Sequence, residues 1–124
     1  MNKYRITTIC EAPKEEAITF DEYQRFAIST ADPCASNPLY LACGICEEAG
    51  EAAGKVKKTI RDHFGHFDEA RRRDVAMELS DILWYVANQA YEMGFILSEI
   101  AQLNKDKITR RLECGTLHGS GDNR

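Results

Sequence analysis

The sequence lacks any long hydrophobic run. Its longest uninterrupted apolar stretch, Ile82 to Ala87, is far shorter than the roughly 20 residues that a membrane-spanning helix needs. The first residues carry Lys3, Arg5 and Glu11 and offer no hydrophobic segment of the kind found in a signal peptide. We therefore expect a cytoplasmic protein that has no membrane partner.

The sequence also lacks a surplus of basic residues. Its 16 lysines and arginines stand against 20 aspartates and glutamates, which gives a formal net charge of -4. Proteins that bind DNA or RNA through phosphates usually carry a basic face. We therefore expect no polymeric nucleic acid as a partner, whereas binding of a single phosphate-bearing ligand stays open. The length of 124 residues predicts one domain.

The cysteines number five, and an odd count in a chain without an export signal favours reduced thiols over disulfides. Cys43 and Cys46 form a CxxC pair, and His63 and His66 form an HxxH pair, so a zinc site is one interpretation. The histidines are spaced more tightly than in the usual zinc pattern, and the cysteines lie inside a predicted helix. We favour helix-packing cysteines and surface histidines, with a zinc or redox role as the alternative.

Apolar residues recur at helical spacing over most of the chain, and no convincing strand alternation interrupts them. Thr19 is predicted to cap a first helix, with Glu22 closing a capping box, and this helix should end near residues 31–33. Asn37 is predicted to cap a second helix, and a proline occupies the first position of this helix. The second helix should stop between residues 61 and 65.

Two more helices follow. Asp68 is predicted to cap the third helix, which ends at Gly94 because glycine adopts the left-handed conformation needed there. Ser98 is predicted to cap the fourth helix, which runs to about Glu113. The predicted fold class is therefore all-α, with the arrangement of a four-helix bundle.

The predicted helices define the domain organisation. Residues 20–113 form the all-α domain. Residues 1–19 form an N-terminal segment whose structure the sequence does not indicate. Residues 114–124 form a glycine-rich tail without hydrophobic periodicity.

Acidic residues lie beside the apolar stripes of the second and third helices. Glu48 and Glu51 stand one turn apart on the second helix, and Glu78 and Asp81 stand in the same relation on the third. Packing of the two stripes brings both pairs to the edge of one seam, where four carboxylates repel one another unless a cation neutralises them. Oxygen ligands at this density suit Mg²⁺ or Mn²⁺. The alternative is a set of solvated acids that pair with neighbouring lysine or arginine.

These acids belong to a longer pattern, Glu47-Glu48-Ala49-Gly50-Glu51 followed by Glu78-Leu79-Ser80-Asp81. The pattern resembles the EExxE and ExxD motifs of the MazG-like, all-α nucleoside triphosphate pyrophosphohydrolases, and the spacing between its two halves falls within the range that this family tolerates. The segments at residues 81–85 and 117–123 also resemble members of the family. The resemblance therefore covers most of the chain from about Phe20 onward.

The resemblance implies an enzyme that hydrolyses a nucleoside triphosphate to the monophosphate and pyrophosphate. It implies Glu47 and Glu48 as catalytic residues, with Glu47 as the group that orients or deprotonates the attacking water. The metal ligands that it implies, carried over by position, are Glu48, Glu51, Glu78 and Asp81. Mg²⁺ is the expected cofactor, with Mn²⁺ possible, and the metal would neutralise the triphosphate and fix the water.

Basic and amide side chains are candidates for binding the phosphates. Asn104, Lys107 and Arg111 share one face of the fourth helix, and the family lines its nucleotide site with similar residues. The alternative for this face is a solvated helix end that favours the helix dipole. Lys55 and Lys58 share the stripe of the acids on the second helix, and either pair with those acids or contact phosphates.

Aromatic and amide side chains near the acids are candidates for binding the base. Tyr85 lies one turn after Asp81 and is predicted to stack on the base, and Asn88, one turn further, is predicted to read its edge. Trp84 points away from the acids and is predicted to be a core residue. The resemblance adds aromatic candidates that the sequence does not rank: Phe20, Tyr23, Phe26 and Tyr40.

Two other classes of protein remain as alternatives. A di-iron carboxylate bundle uses a Glu-x-x-His motif, but this chain has Asp81 where the histidine would stand. A non-catalytic helical metal-binding or oligomerisation module is the second alternative, because two long amphipathic helices in a short chain commonly bury apolar surface against another copy. We predict a homodimer or a homotetramer.

Overall fold

The fold was analysed in a computed structural model that describes residues 17–121. These residues form α1 (Phe20–Ser29), α2 (Pro38–His63), α3 (Glu69–Glu92) and α4 (Leu97–Glu113), with a 3-10 helix at Pro33–Ser36 between α1 and α2. No strand occurs among them, so the predicted all-α fold class is confirmed. None of the helices in this part of the chain is long and apolar enough to cross a bilayer.

Side-chain caps fix the starts of the first three helices. The hydroxyl of Thr19 accepts the N–H of Glu22 at 3.2 Å, and the Glu22 carboxylate accepts the N–H of Thr19 at 2.8 Å, which completes the predicted capping box. Asn37 and Asp68 each accept a backbone N–H at 2.9 Å in the first turns of α2 and α3. The predicted starts of these helices are therefore confirmed.

The segment between α1 and α2 differs from the prediction. α1 ends at Ser29, ahead of the predicted end at residues 31–33, and a 3-10 turn follows. The Asp32 carboxylate starts this turn by accepting the N–H of Cys34 at 2.8 Å and of Ala35 at 3.3 Å. A single turn is too short to show a hydrophobic period, so the sequence did not reveal it.

The start of α4 was predicted wrongly. α4 begins at Leu97, and its cap residue is Ile96, which carries no side-chain acceptor. Side chains of α1 take over this role: Gln24 Oε1 accepts the N–H of Leu97 at 2.9 Å, and Asp21 Oδ1 accepts the N–H of Ser98 at 3.1 Å. The Ser98 hydroxyl donates to the other Asp21 oxygen at 3.0 Å instead of capping its own helix.

α2 and α3 lie side by side as an antiparallel hairpin, joined by a turn in which Phe64 and Gly65 adopt positive φ angles of 52° and 74°. α1 and α4 pack against α3 at the open end of this hairpin. The small core there contains Ala27, Ala87 and Leu97, all buried. Trp84 packs half-buried against this core, as predicted, and its indole N–H donates to the hydroxyl of Thr30 at 2.9 Å.

The hairpin leaves much of its apolar stripe uncovered. Leu41 and Leu97 are the only buried apolar residues larger than alanine among residues 17–121. Ile60 and Leu79, apolar residues of α2 and α3, are 59% and 55% exposed, whereas Glu78 is only 8% exposed. The seam between α2 and α3 therefore buries the acid Glu78, and apolar surface remains available on the outside of a single chain.

Candidate metal and nucleotide site

Three carboxylates from α2 and α3 meet in the seam of the hairpin. One oxygen from each of Glu48, Glu78 and Asp81 lies within 4.8 Å of the others. Glu48 comes from the middle of α2, and the antiparallel packing places it opposite the other two, which stand one turn apart on α3. Glu78 is buried, Glu48 is half-buried and Asp81 is exposed, so the group opens to solvent on the Asp81 side.

The electrostatics of this group suit a cation. The pKa of Glu48 is raised, first because burial disfavours its charged form and then because Asp81, Glu51, Glu47 and Glu78 add negative charge around it. A bound divalent cation would reverse this effect, because it favours the ionised carboxylates. Oxygen donors alone are the ligands that Mg²⁺ and Mn²⁺ prefer. The residues present therefore fit a hard divalent cation.

Lys55 ion-pairs with this acidic group. Its Nζ lies 3.3 Å from Oε1 of Glu78, so a lysine of α2 neutralises part of the negative charge that α3 carries. The sequence predicted that Lys55 either pairs with acids of its own helix or binds phosphate. The observed partner lies on the opposite helix, which the spacing along α2 alone does not indicate.

The remaining predicted acids lie around the group and not within it. Glu51, the fourth predicted ligand, is exposed and falls outside the set of three oxygens. Glu51 stands one turn from Glu48, and its negative charge contributes to the raised pKa of Glu48. Glu47 is also exposed, and its charge raises the pKa of both Glu48 and Tyr85. Their predicted roles as ligand and catalytic residue stay predictions.

Tyr85 packs directly on the backbone of α2 beside the acids. A Cβ atom added to Gly44 would lie 2.2 Å from Cε1 of Tyr85, so this contact requires glycine at position 44. The ring centroids of Tyr85 and Tyr40 are 6.4 Å apart. The pKa of Tyr85 is raised by burial, then by a hydrogen bond with Tyr40 and by the charge of Glu48. Sequence analysis missed Gly44, although a glycine inside a helix was the available signal.

The contact between Gly44 and Tyr85 predicts opposite effects for two glycine substitutions in α2. Gly44→Ala should lower the free energy of unfolding by about 1–3 kcal/mol, because the methyl group overlaps the Tyr85 ring. Gly50→Ala has open space around the new Cβ and should raise it by about 0.5–1 kcal/mol through helix propensity. Urea unfolding of both variants measures the difference. Equal stability of the two variants would show that the ring moves aside freely.

Asn88 was predicted to read the base edge, but its side chain is 3% exposed. Its Nδ2 donates to the carbonyl of Trp84 at 3.0 Å, one turn back on the same helix. Tyr23 is half-buried and packs against the core, and its pKa is raised first by burial and then by the charge of Asp81. Phe20 and Phe26, the other aromatic candidates of this helix, are more than half exposed.

The predicted phosphate-binding face of α4 is not joined to the acids within one chain. Among residues 17–121, no hydrogen bond or ion pair links Asn104 or Lys107 to Glu48, Glu78 or Asp81. The Arg111 guanidinium instead reaches the C-terminal segment, where Nη2 lies 3.5 Å from the carbonyl oxygen of Gly121. The role of this face in binding phosphate stays a prediction.

The cysteine and histidine pairs are widely separated. Cys43 and Cys46 are exposed on the first half of α2, and His63 is the last residue of that helix. At a rise of about 1.5 Å per residue, the helix carries His63 about 25 Å beyond Cys46. The CxxC and HxxH pairs therefore cannot share one metal ion.

Comparison with known proteins places this chain in a family. The model of the MazG nucleotide pyrophosphohydrolase domain matches residues 36–114, which include α2, α3, α4 and all the predicted metal ligands. The Gene 37 protein of Mycobacterium phage L5 is 44% identical over 85 residues, which are 68% of this chain and 75% of that protein. No solved structure gives a significant match. Because the domain model matches well over half of the sequence, the chain belongs to the MazG nucleotide pyrophosphohydrolase domain family.

Proposed function

We propose that the protein is a Mg²⁺-dependent nucleoside triphosphate pyrophosphohydrolase, which converts a (d)NTP and water to a (d)NMP and pyrophosphate. The observation that carries the proposal is the convergence of carboxylate oxygens from Glu48, Glu78 and Asp81 within 4.8 Å. Family membership supplies the reaction class, and the acidic group supplies a place where a cation and a triphosphate can meet.

Each acid has a distinct part in this proposal. Glu48, Glu78 and Asp81 would hold the Mg²⁺, and Glu51 would complete the set from the next turn of α2. When bound there, Mg²⁺ would supply positive charge to neutralise the phosphates and to make the attacking water more acidic. Glu47, exposed beside the group, accepts a proton from the attacking water. The water oxygen bonds to phosphorus as the P–O bond between the α- and β-phosphates breaks, which separates the monophosphate from pyrophosphate.

The remaining binding roles are proposals that rest on charge and position. The aromatic ring of Tyr85 stacks on the base. Recognition of the base edge by Asn88 requires its buried amide to leave the carbonyl of Trp84 and to become exposed. Positive and amide groups bind the phosphates, since a triphosphate carries more negative charge than a single divalent cation neutralises. These phosphate-binding residues are Lys55, Lys58, Asn104, Lys107 and Arg111.

Pyrophosphate release from a panel of nucleotides tests the proposed function. The purified chain is incubated with canonical and modified (d)NTPs, with Mg²⁺ or with EDTA, and both pyrophosphate and monophosphate are quantified. We expect equal amounts of the two products from at least one nucleotide, only in the presence of Mg²⁺ or Mn²⁺. Release of single phosphates indicates a different reaction. No turnover of any nucleotide leaves the non-catalytic oligomerisation module as the better interpretation.

We also propose that the chain forms a homodimer or a homotetramer. The support is the small core of a single chain, in which apolar side chains of α2, α3 and α4 remain exposed. An apolar groove of ≈ 230 Å³ lies where these helices meet, and a second copy is suited to fill it. Its apolar lining residues are Ile45, Val86, Ala90, Met93, Phe95 and Ile100.

Phe95→Lys should weaken this assembly, because it places a charge in the groove that the second copy covers. Light scattering should give a multiple of 14.0 kDa for the natural chain and a lower mass for Phe95→Lys at the same concentration. Ser29→Lys adds the same charge at an exposed position of α1 and should keep the natural mass. A natural chain that is monomeric at tens of micromolar contradicts the proposal.

A further inference from the structure

The seam between α2 and α3 changes its chemistry from one end to the other. Tyr40 and Tyr85 lie at the open end of the hairpin, and the group of Glu48, Glu78 and Asp81 lies in the middle. A cavity of ≈ 160 Å³ lies between the acids and the turn of the hairpin, and we call it the cationic cleft. Its lining residues are Lys55, Lys58, Thr59, His63, Arg71 and Asp74.

The cationic cleft has the size and the charge of a site for a small anion. Pockets for drug-sized ligands usually enclose roughly 300–1,000 Å³, so this cavity suits a smaller group. Three cationic side chains, Lys55, Lys58 and Arg71, line its walls together with one acid, Asp74. Two of these cations are already paired, Lys55 with Glu78 and Arg71 with Asp68. Among residues 17–121, Lys58 forms no ion pair, so its charge is available to a ligand.

Arg71 is held in place at the wall of the cleft. Its guanidinium forms an ion pair with Asp68, the residue that caps α3. Its Nη2 also lies 3.1 Å from Nδ1 and 3.0 Å from Nε2 of His63, at the end of α2. These contacts from both helices fix the donor before any ligand arrives, and a fixed donor loses less entropy on binding an anion.

The cleft is continuous with the acidic group. Lys55 lines the cleft and also pairs with Glu78 at 3.3 Å, so the cationic surface begins where the carboxylates end. From the open end of the hairpin to its turn, the seam presents two tyrosines, then the carboxylates, then the cationic cleft. A nucleoside triphosphate presents its groups in a matching order: the aromatic base, then the α-phosphate, then the β- and γ-phosphates. The match in order gives the bound nucleotide one favoured direction.

We infer that the cationic cleft binds the β- and γ-phosphates of the substrate and then the pyrophosphate that leaves, with the base directed towards Tyr40 and Tyr85. This inference rests on the proposed function, which does not by itself fix the direction of the nucleotide. Charge-assisted hydrogen bonds from Lys58 and Arg71 stabilise the leaving group as the bond between the α- and β-phosphates breaks.

Product inhibition by pyrophosphate tests the inference. Lys58→Gln should raise the inhibition constant for pyrophosphate about tenfold, which corresponds to the loss of one charge-assisted hydrogen bond, and leave inhibition by the monophosphate unchanged. Lys57→Gln is the matched control, because Lys57 directly precedes Lys58 in α2 and lines a different surface with Ile60. Arg71→Gln, with Arg72→Gln as its control, probes the wall formed by α3.

The outcomes separate this inference from the proposed function. If the natural chain releases pyrophosphate but Lys58→Gln and Lys57→Gln give equal inhibition constants, the cleft is not the pyrophosphate site and the proposed function stands. If Lys58→Gln weakens inhibition by monophosphate as much as by pyrophosphate, the direction of the nucleotide is wrong. If the natural chain hydrolyses no nucleotide, the proposed function fails and this inference fails with it. Circular dichroism checks that each variant is folded.

Discussion

Asp81→Asn is expected to lower pyrophosphate release about a hundredfold or more while the protein stays folded. The carboxylate oxygen of Asp81 lies within 4.8 Å of those of Glu48 and Glu78, and the substitution replaces it with an amide that carries no charge. The remaining acids would hold Mg²⁺ less tightly and in an altered position, so the loss should persist when Mg²⁺ is saturating. Glu48→Gln should have the same effect, and steady-state kinetics with saturating Mg²⁺ measures both.

Thermal unfolding distinguishes loss of the metal site from loss of the fold. Without divalent cations, Asp81→Asn should be at least as stable as the natural chain, because it removes one of several carboxylates that repel one another. Millimolar Mg²⁺ should raise the Tm of the natural chain and leave that of Asp81→Asn nearly unchanged. Glu69→Gln, an exposed acid at the start of α3, is the control and should respond to Mg²⁺ like the natural chain. Near-normal turnover by Asp81→Asn contradicts the proposed metal site.

Gln24→Met is expected to lower the free energy of unfolding by about 3 kcal/mol or more. The buried Gln24 amide donates to the carbonyls of Ala87 at 3.0 Å and Phe95 at 3.1 Å, and its oxygen accepts the N–H of Leu97 at 2.9 Å. Methionine has a similar length and fills the space, but it removes all three hydrogen bonds and leaves the buried N–H of Leu97 without the Gln24 acceptor. A buried polar group without a partner costs about 1–3 kcal/mol.

A second glutamine provides the control for this substitution. The amide of Gln102, exposed on α4, bonds only the Asp106 side chain one turn away. Gln102→Met should therefore change the free energy of unfolding by about 0.5 kcal/mol or less. Urea unfolding at fixed protein concentration gives both values. If Gln24→Met costs no more than Gln102→Met, the three backbone hydrogen bonds do not hold α1, α3 and α4 together as described.

The helices were predictable where their signals are local. Thr19, Asn37 and Asp68 each bond a backbone N–H within three residues, so the sequence contains both partners of every cap. The start of α4 was not predictable in this way, because the acceptors come from α1. Ser98 is a good cap residue by type, but Asp21 binds its hydroxyl and its N–H. A contact across more than seventy residues leaves no local pattern.

The site was predictable in its composition and less so in its geometry. Helical spacing and the motif resemblance selected Glu48, Glu78 and Asp81, which the fold brings together. The same spacing placed Glu51 with them, but a shared helix face does not determine how far each side chain reaches. The pairing of Lys55 with Glu78 depends on how the two helices are aligned, and only the packed hairpin reveals that alignment.

The cap of α4 by α1 has a consequence for the order in which the chain folds. The α2–α3 hairpin has local caps and a short turn, so we expect it to form early. The acceptors in α1 that cap α4 lie 73 and 77 residues before the N–H groups they bind, so these two hydrogen bonds form only when α1 docks beside α4. During synthesis the ribosome makes Asp21 and Gln24 well before Leu97 and Ser98. α1 can pack on α3 as soon as α3 has emerged, but its two acceptors stay without these N–H partners until the start of α4 follows.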